Sequence, residues 1–464
     1  MQPLTVSFDG EPNQNIILWM DHRAEKEAEF INNLNHSVSK YTGGKISLEM
    51  ETPKLLWLKR NLPDSWRKAG HFFDLPDFLT WRSTGSLSRS LCSLVCKWTY
   101  EACPSDSKGG SSSGWNLDYF TQIGLKDLAE NNWEKIGTEV KSPGDPCGHG
   151  LSKEAAHELG LLEGTAVGAS IIDAHAGGLG LIGLQSDLIP TSFETRISLI
   201  CGTSTCFMCV NNKPLFITGV WGPYYSAMVP NMFLNEGGQS VSGKLIDFLI
   251  DNHSATPSVT KKLGANMSMY EYLNTLLTSM AKRSNLPQVD SLTKDLHVWP
   301  DFHGNRSPLA DPSLKGMICG LALSSSEEDL ALLYLSALQA LAYGSRHILE
   351  TLQEAGYEKF QALLVCGGLS KNSMFMQTLA NCLETPVLCH EKQESVLLGA
   401  GMLAAYAAGI YPSMDVAMTT MTGAAKVTVP KPVENKYHDR KYKVFKRMVK
   451  DQNDYRSFMD GKTF

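Results

Sequence analysis

Short apolar runs alternate with longer, helix-patterned stretches along the chain. That alternation constrains the fold more than any single motif, because it calls for an α/β architecture with strands buried among helices. Residues 15–20 (NIILWM) and 166–172 read as short buried strands, the second ending at Asp173. Residues 25–34 are charged and helical in pattern, and residues 196–210 read as a strand pair bent around Gly202-Thr203-Ser204. A long amphipathic helix is predicted over residues 329–354, with Leu330, Leu333, Tyr334, Ala337, Leu338, Leu341, Ile348 and Leu352 on its apolar stripe. Residues 362–365 read as a strand, followed by a Gly-Gly turn and a helix entered at Ser370. Residues 394–408 form an Ala- and Gly-rich helix suited to close packing, and a polar amphipathic helix over 436–459 closes the chain.

At 464 residues the chain exceeds one ordinary core, so two large domains are expected. A composition break at residues 184–190 (LQSDLIP) places the boundary and hinge there, giving domains 1–183 and 184–464. Residues 104–114 (PSDSKGGSSSG) lack the apolar surface to order themselves and read as a surface loop. The net charge of -6 provides no basic field for phosphate backbones, so no nucleic-acid partner is expected. No run of eighteen apolar residues offers a membrane span, and the polar first fourteen residues do not read as a secretory signal. The eleven cysteines are odd in number and scattered through apolar runs, the pattern of reduced thiols in a cytoplasmic protein. Cys206 and Cys209 make a CxxC, but on a strand such positions face opposite sides of the sheet. With no second CxxC they read as core, and no metal site is expected.

Several constellations carry chemistry. In Ile171-Ile172-Asp173-Ala174-His175, a strand delivers a carboxylate to its C-terminal end, where partial burial would tune it as a general base. The plainer alternative is an Asp that caps the following helix. Gly202 and Thr203 lie in a Gly-Thr-Ser turn that offers N–H groups and hydroxyls to a phosphate, although such turns also occur in ordinary hairpins. Gly367, Gly368 and Asn372 lie between a strand and a helix, where the backbone can approach a nucleotide closely; an ordinary tight turn into a Ser-capped helix has the same pattern. Neither GxGxxG nor GxxxxGK followed by Ser or Thr occurs. Trp19 with Asp21, Lys97 with Trp98, and a Gly-rich turn over residues 234–240 carrying Glu236 add aromatic and hydrogen-bonding groups suited to a polyhydroxylated ligand, or to surface decoration.

Ten blocks in fixed order, among them ILWMDHRA, PKLLWLKRN, IIDAHAGGLG, CGTSTC, LNEGGQS and LLVCGGLSKN, make the chain resemble the FGGY family of carbohydrate kinases, most of all its ribulokinase-type members. The resemblance runs from about residue 15 to residue 459. It implies a two-domain actin-like ATPase fold of ribonuclease-H-like sheets, with sugar and ATP meeting in a cleft. Matched position by position, Asp173 falls on the catalytic base, Gly202 and Thr203 on the phosphate-binding turn, and Gly368 and Asn372 on the adenosine-binding turn. Lys97, Asp173 and Glu236 fall on the sugar-contacting set, and Trp19 and Asp21 beside it. The implied reaction is phosphorylation of a pentulose such as D-ribulose by ATP with Mg2+, and the implied oligomer a homodimer. L-ribulose, xylulose, ribitol and glycerol stay open as substrates. Glu49 and Glu51 stand where the family usually has small or aromatic residues. The family's first strand pair, with its Asp-x-Gly-Thr phosphate turn, is expected before residue 1. The first domain therefore reads as N-terminally truncated, and a catalytically silent sugar- or nucleotide-binding protein is the rival to an active kinase. A structural protein of actin-like fold is a third reading.

Overall fold

A computed structural model describes residues 2–104, 114–264, 267–391, 393–431 and 435–461. The core of the low-complexity loop, residues 105–113, lies outside the described residues. Packing divides the chain into two compact units. The first comprises Met1–Gly183, Val210–Glu236 and Val396–Thr422, and the second Leu184–Cys209, Gly237–Ser395 and Gly423–Phe464. A linear division at 183/184 leaves residues 210–236 and 396–422 in the later part, whereas packing places them in the first unit.

The first unit is mainly helical. Its core gathers Leu56, Trp57, Trp66, Leu94, Trp98, Tyr119 and Phe120 from helices that include Glu51–Asn61 and Leu91–Lys97. Ser90 caps the second of these by accepting from Ser93 N–H, so the helix starts cleanly and carries Lys97 at its last turn. Strand Trp221–Tyr225 pairs antiparallel with Phe233–Gln239 and aligns Trp221 with Glu236. Helix Asp173–Ile182 is buried at every position from His175 onward. Gly399, on helix Ser395–Ala407, meets it so closely that a Cβ there would collide with the Ala176 carbonyl.

The second unit is a strand-and-helix assembly. Five strands of a seven-stranded sheet run, in spatial order, Ala425–Thr428, Val387–His390, Ala362–Gly367, Arg196–Cys201 and Thr205–Asn211, and the sheet continues through Phe233–Gln239 to Trp221–Tyr225. Val387–His390, Ala362–Gly367 and Arg196–Cys201 are parallel, and Ala425–Thr428 and Thr205–Asn211 flank them antiparallel. Parallel strands are covered on both faces, so they read as continuous apolar runs such as ALLV. Helix Glu327–Glu354 opens on a capping box between Ser326 and Asp329, and all eight residues of its expected stripe are buried.

Some local expectations change. Residues 15–20 form no strand: Ile16 and Leu18 are exposed, and the Lys54 ammonium takes the Leu18 and Trp19 carbonyls at 2.9 and 3.2 Å. A side chain thus satisfies acceptors that a ladder would otherwise have met. Residues 166–172 form no strand, only an isolated bridge, Gly168 to Pro146. There is no room for a side chain at Gly168, where a Cβ would lie 2.8 Å from the Leu403 carbonyl. The expected Gly-rich turn carrying Glu236 is instead the strand Phe233–Gln239, buried at every position. Its glycines serve close approach, with Ile348 3.1 Å from where a Cβ of Gly237 would sit. Finally, the helix expected at Ser370 begins at Ser373 and is capped by Asn372, with a 3-10 turn over Gly368–Lys371 ahead of it.

Candidate active site

In the first unit, three chain segments bring Lys97, His175 and Glu236 together. His175 Nε2 lies 3.7 Å from Glu236 Oε2 and 3.4 Å from Cys96 Sγ, the residue before Lys97. His175 is 1% exposed and Glu236 7%, and Glu236 Oε2 has no hydrogen-bond partner. A buried carboxylate oxygen without a donor is costly unless something else meets it. Burial holds the His175 ring below the usual histidine pKa, with Glu236 opposing, so the imidazole is neutral. For Lys97, burial alone would lower the pKa. The carboxylates of Glu236, Glu49 and Glu51 outweigh it and leave the ammonium above its ordinary value. That ammonium also sits 4.7 Å over the Trp221 ring. Glu51 itself is pushed well above the carboxylate range by burial and by neighbouring Asp74.

Asp173 is the first residue of its helix, exposed, and its Oδ1 accepts from the Ala174 N–H at 2.7 Å. Partial burial of this carboxylate, expected from the sequence, is not found, because the strand thought to deliver it is a loop ending at the surface. The helix's cap position is Ile172, so Asp173 is not the cap either. Its charge reaches His175, two residues on, and that links it to the Lys97–Glu236 group. Trp19 is 51% exposed. Asp21 is clamped by Arg23, with Nε and a terminal NH2 nitrogen at 3.0 and 2.7 Å, which holds its carboxyl below the usual range. Lys54 connects this loop to the group: it binds the Trp19 carbonyl and lies in the fields of both Asp21 and Lys97.

In the second unit, the two glycine turns emerge side by side. Strands Arg196–Cys201 and Ala362–Gly367 are parallel neighbours, and Cys201 opposite Gly367 is their last pair. Gly202-Thr203 and Gly367-Gly368 therefore leave the carboxyl ends of adjacent strands, where ligands of α/β sheets bind. Gly202 and Thr203 are exposed. The Gly202 N–H closes the turn on the Ser204 carbonyl at 2.8 Å, so it is not the phosphate donor expected. The carbonyls of Gly202 and Thr203 accept from Gly243 and Ser242 N–H, which brings the start of helix Gly243–Asp251 to the turn. Gly367 has φ +84 and Gly368 is exposed with open space where a Cβ would stand, a backbone that a planar base or phosphate can approach. Asn372 is 5% exposed and engaged internally: it accepts from Met374 and Phe375 N–H, donates to Tyr334 Oη at 2.6 Å and accepts from Asn274 at 3.2 Å. Its side chain shapes the turn rather than projecting from it.

His175, Cys96 and Trp221 were not among the candidates. His175 sits in the same block as Asp173, but its partners are distant in sequence: Cys96 lies 79 residues away.

Polar groups converging in the helical unit, and paired glycine turns at the ends of parallel strands in the other, are features that a phosphotransferase can use. Family descriptions agree: the FGGY family of carbohydrate kinases matches with its N-terminal domain over residues 5–99 and its C-terminal domain over 197–408. A human FGGY carbohydrate kinase domain-containing protein is 50% identical over 99% of this chain and 82% of its own length. A Saccharomyces cerevisiae protein named D-ribulokinase is 38% identical over 85% of this chain and 58% of its own. Among solved structures, a ligand-bound xylulose kinase from Lactobacillus acidophilus superposes with a TM-score of 0.74 at 17% identity, over 97% of this chain and 82% of that one. A Plasmodium falciparum glycerol kinase with ADP gives 0.71 at 17% identity, over 97% of this chain and 81% of that one. The chain belongs to the FGGY family of carbohydrate kinases and has its two-domain, actin-like ATPase fold.

Proposed function

We propose that the chain transfers the γ-phosphoryl group of ATP to a terminal hydroxyl of a small pentulose, D-ribulose first among them. The convergence of Lys97 and Glu236 on His175, two residues from Asp173, carries this reading. A cation, a carboxylate and a ring held by buried surroundings suit a polyhydroxylated ligand. The relative named D-ribulokinase supports the choice of sugar.

In this account Asp173, exposed at the head of its helix, takes the proton of the attacking hydroxyl. The hydroxyl oxygen forms its bond to the γ-phosphorus as the bond to the β–γ bridging oxygen breaks and ADP departs. Lys97 and Glu236 orient the sugar. The open backbone at Gly368 and exposed Thr203 fit a nucleotide, with Asn372 holding the turn in shape. Magnesium would accompany the triphosphate, held mainly by phosphate oxygens and water and neutralising charge as it develops. The odd number of cysteines scattered through apolar runs is the ground for placing the protein in the cytoplasm.

The test is coupled ADP release from purified protein with Mg-ATP and a panel of pentuloses and polyols. Turnover that depends on one ketose supports the proposal and names the substrate. A folded protein that binds sugar or nucleotide yet releases no ADP with any of them supports the silent-binder reading instead.

A further inference from the structure

We propose that Cys92, Cys96 and His175 form a zinc(II) site, with Glu236 within reach as the fourth ligand. Cys92 and Cys96 are four residues apart on helix Leu91–Lys97, so both thiols project from one face. Their sulfurs and one ring nitrogen of His175 all lie within 4.8 Å of one another. The closest measured pair, Cys96 Sγ to His175 Nε2, is 3.4 Å apart. Tetrahedral zinc with bonds of about 2.0–2.3 Å sets its ligands about 3.3–3.8 Å apart, so small side-chain rotations complete the set. Two sulfurs and an imidazole select a soft or borderline ion over magnesium or calcium.

The second observation comes from Glu236. Its Oε2 is buried, lacks a hydrogen-bond partner and lies 3.7 Å from the same His175 nitrogen. A cation between them satisfies that orphaned acceptor. Charge also balances: two thiolates neutralise the ion, and Lys97, in whose field Glu236 lies, offsets the remaining carboxylate. Binding releases the two thiol protons to solvent, so occupancy rises with pH. His175 Nδ1 has no partner, and the outer hydrogen bond that steadies most ligating histidines is missing. Affinity should accordingly be about 10–100-fold below that of a fully buttressed site. Where Glu236 also holds sugar, a consequence that rests on the kinase reading, zinc and sugar compete for it.

The experiment is metal binding to the full chain, read without turnover. Cobalt(II) is titrated as a spectroscopic stand-in, and zinc affinity is measured by competition with a chromophoric chelator. One equivalent of cobalt with thiolate-to-metal charge-transfer absorption is expected. Cys92→Ser should remove about half of that absorption per bound cobalt, one of two thiolates being lost, and should weaken zinc binding, whereas Cys382→Ser, in the other unit, should leave both unchanged. Absence of charge transfer in the wild type, or its undiminished persistence in Cys92→Ser, overturns the site. Should Cys92→Ser fail to fold, X-ray absorption of the zinc-loaded wild type decides: two sulfur scatterers with nitrogen or oxygen support it, and a shell of oxygen and nitrogen alone, or four sulfurs, refutes it.

Discussion

Cys201 and Gly367 are the last residue pair of the parallel ladder between two neighbouring strands, and a Cβ at Gly367 would collide with the Cys201 carbonyl. Gly367 also holds φ +84, a region that L side chains rarely adopt. The two glycine turns can therefore lie side by side only because residue 367 has no side chain. Gly367→Ala should cost about 1–3 kcal/mol of stability from strain and overpacking. It should also weaken ADP binding at least several-fold. Thermal unfolding and ADP titration check both, and unchanged ADP affinity would separate this turn from the nucleotide.

Asn372, Tyr334 and Asn274 close a ring of hydrogen bonds, with Tyr334 Oη donating to Asn274 Oδ1 at 3.1 Å and accepting from Asn372. Tyr334→Phe leaves both amides short of a partner and should cost about 1–3 kcal/mol. ADP affinity should fall while the KM for sugar stays near wild type. A change confined to the sugar KM would contradict this assignment.

Gly399 seats its helix against the Ala176 carbonyl, three residues beyond Asp173. Gly399→Ala must push the two helices apart, at a cost of about 1–3 kcal/mol. The shift moves Asp173 and His175 together, so kcat should drop more than the fraction of folded protein does. Circular dichroism and kinetics on the same sample separate the two effects.

Burial, reinforced by Asp74, raises the Asp77 carboxyl to about 7, while the Ser90 N–H donating to Oδ1 and the Arg89 charge oppose it. The folded state therefore binds this proton more tightly than the unfolded chain does. Stability from this group is full below the ordinary value of 3.8 and is lost as pH rises through about 7. The slope should be on the order of 1 kcal/mol per pH unit inside that window. Asp77→Asn should flatten the profile between pH 5 and roughly 7. Asp301, also raised to about 7 by burial, keeps a residual slope of the same sign. A melting temperature that rises with pH in wild type and not in the variant would reverse the sign and refute this reading.

Legibility from sequence followed periodicity. The hairpin around residues 202–204 and the helix Glu327–Glu354 were readable because one pattern and one set of neighbours agreed. Residues 15–20 misled because an apolar run fits a strand, while a single side chain, Lys54, captured the carbonyls that a ladder would need. Phe233–Gln239 misled in the opposite direction: Asn, Glu and two glycines look like a turn, but close neighbours demand glycine in a buried strand. Asp173, Lys97 and Glu236 were singled out from local residue patterns, and the resemblance gave them roles. His175 was not, since its meaning lies in contacts across distant segments that no local spacing encodes.

The most direct test of the central proposal compares wild type with Asp173→Asn in sugar-dependent ADP release, with ADP binding measured alongside. A general base contributes roughly 10²–10⁴-fold, so kcat should fall by that factor while ADP affinity is unchanged. Wild-type turnover in Asp173→Asn would remove Asp173 from the chemistry and contradict the mechanism proposed for this chain.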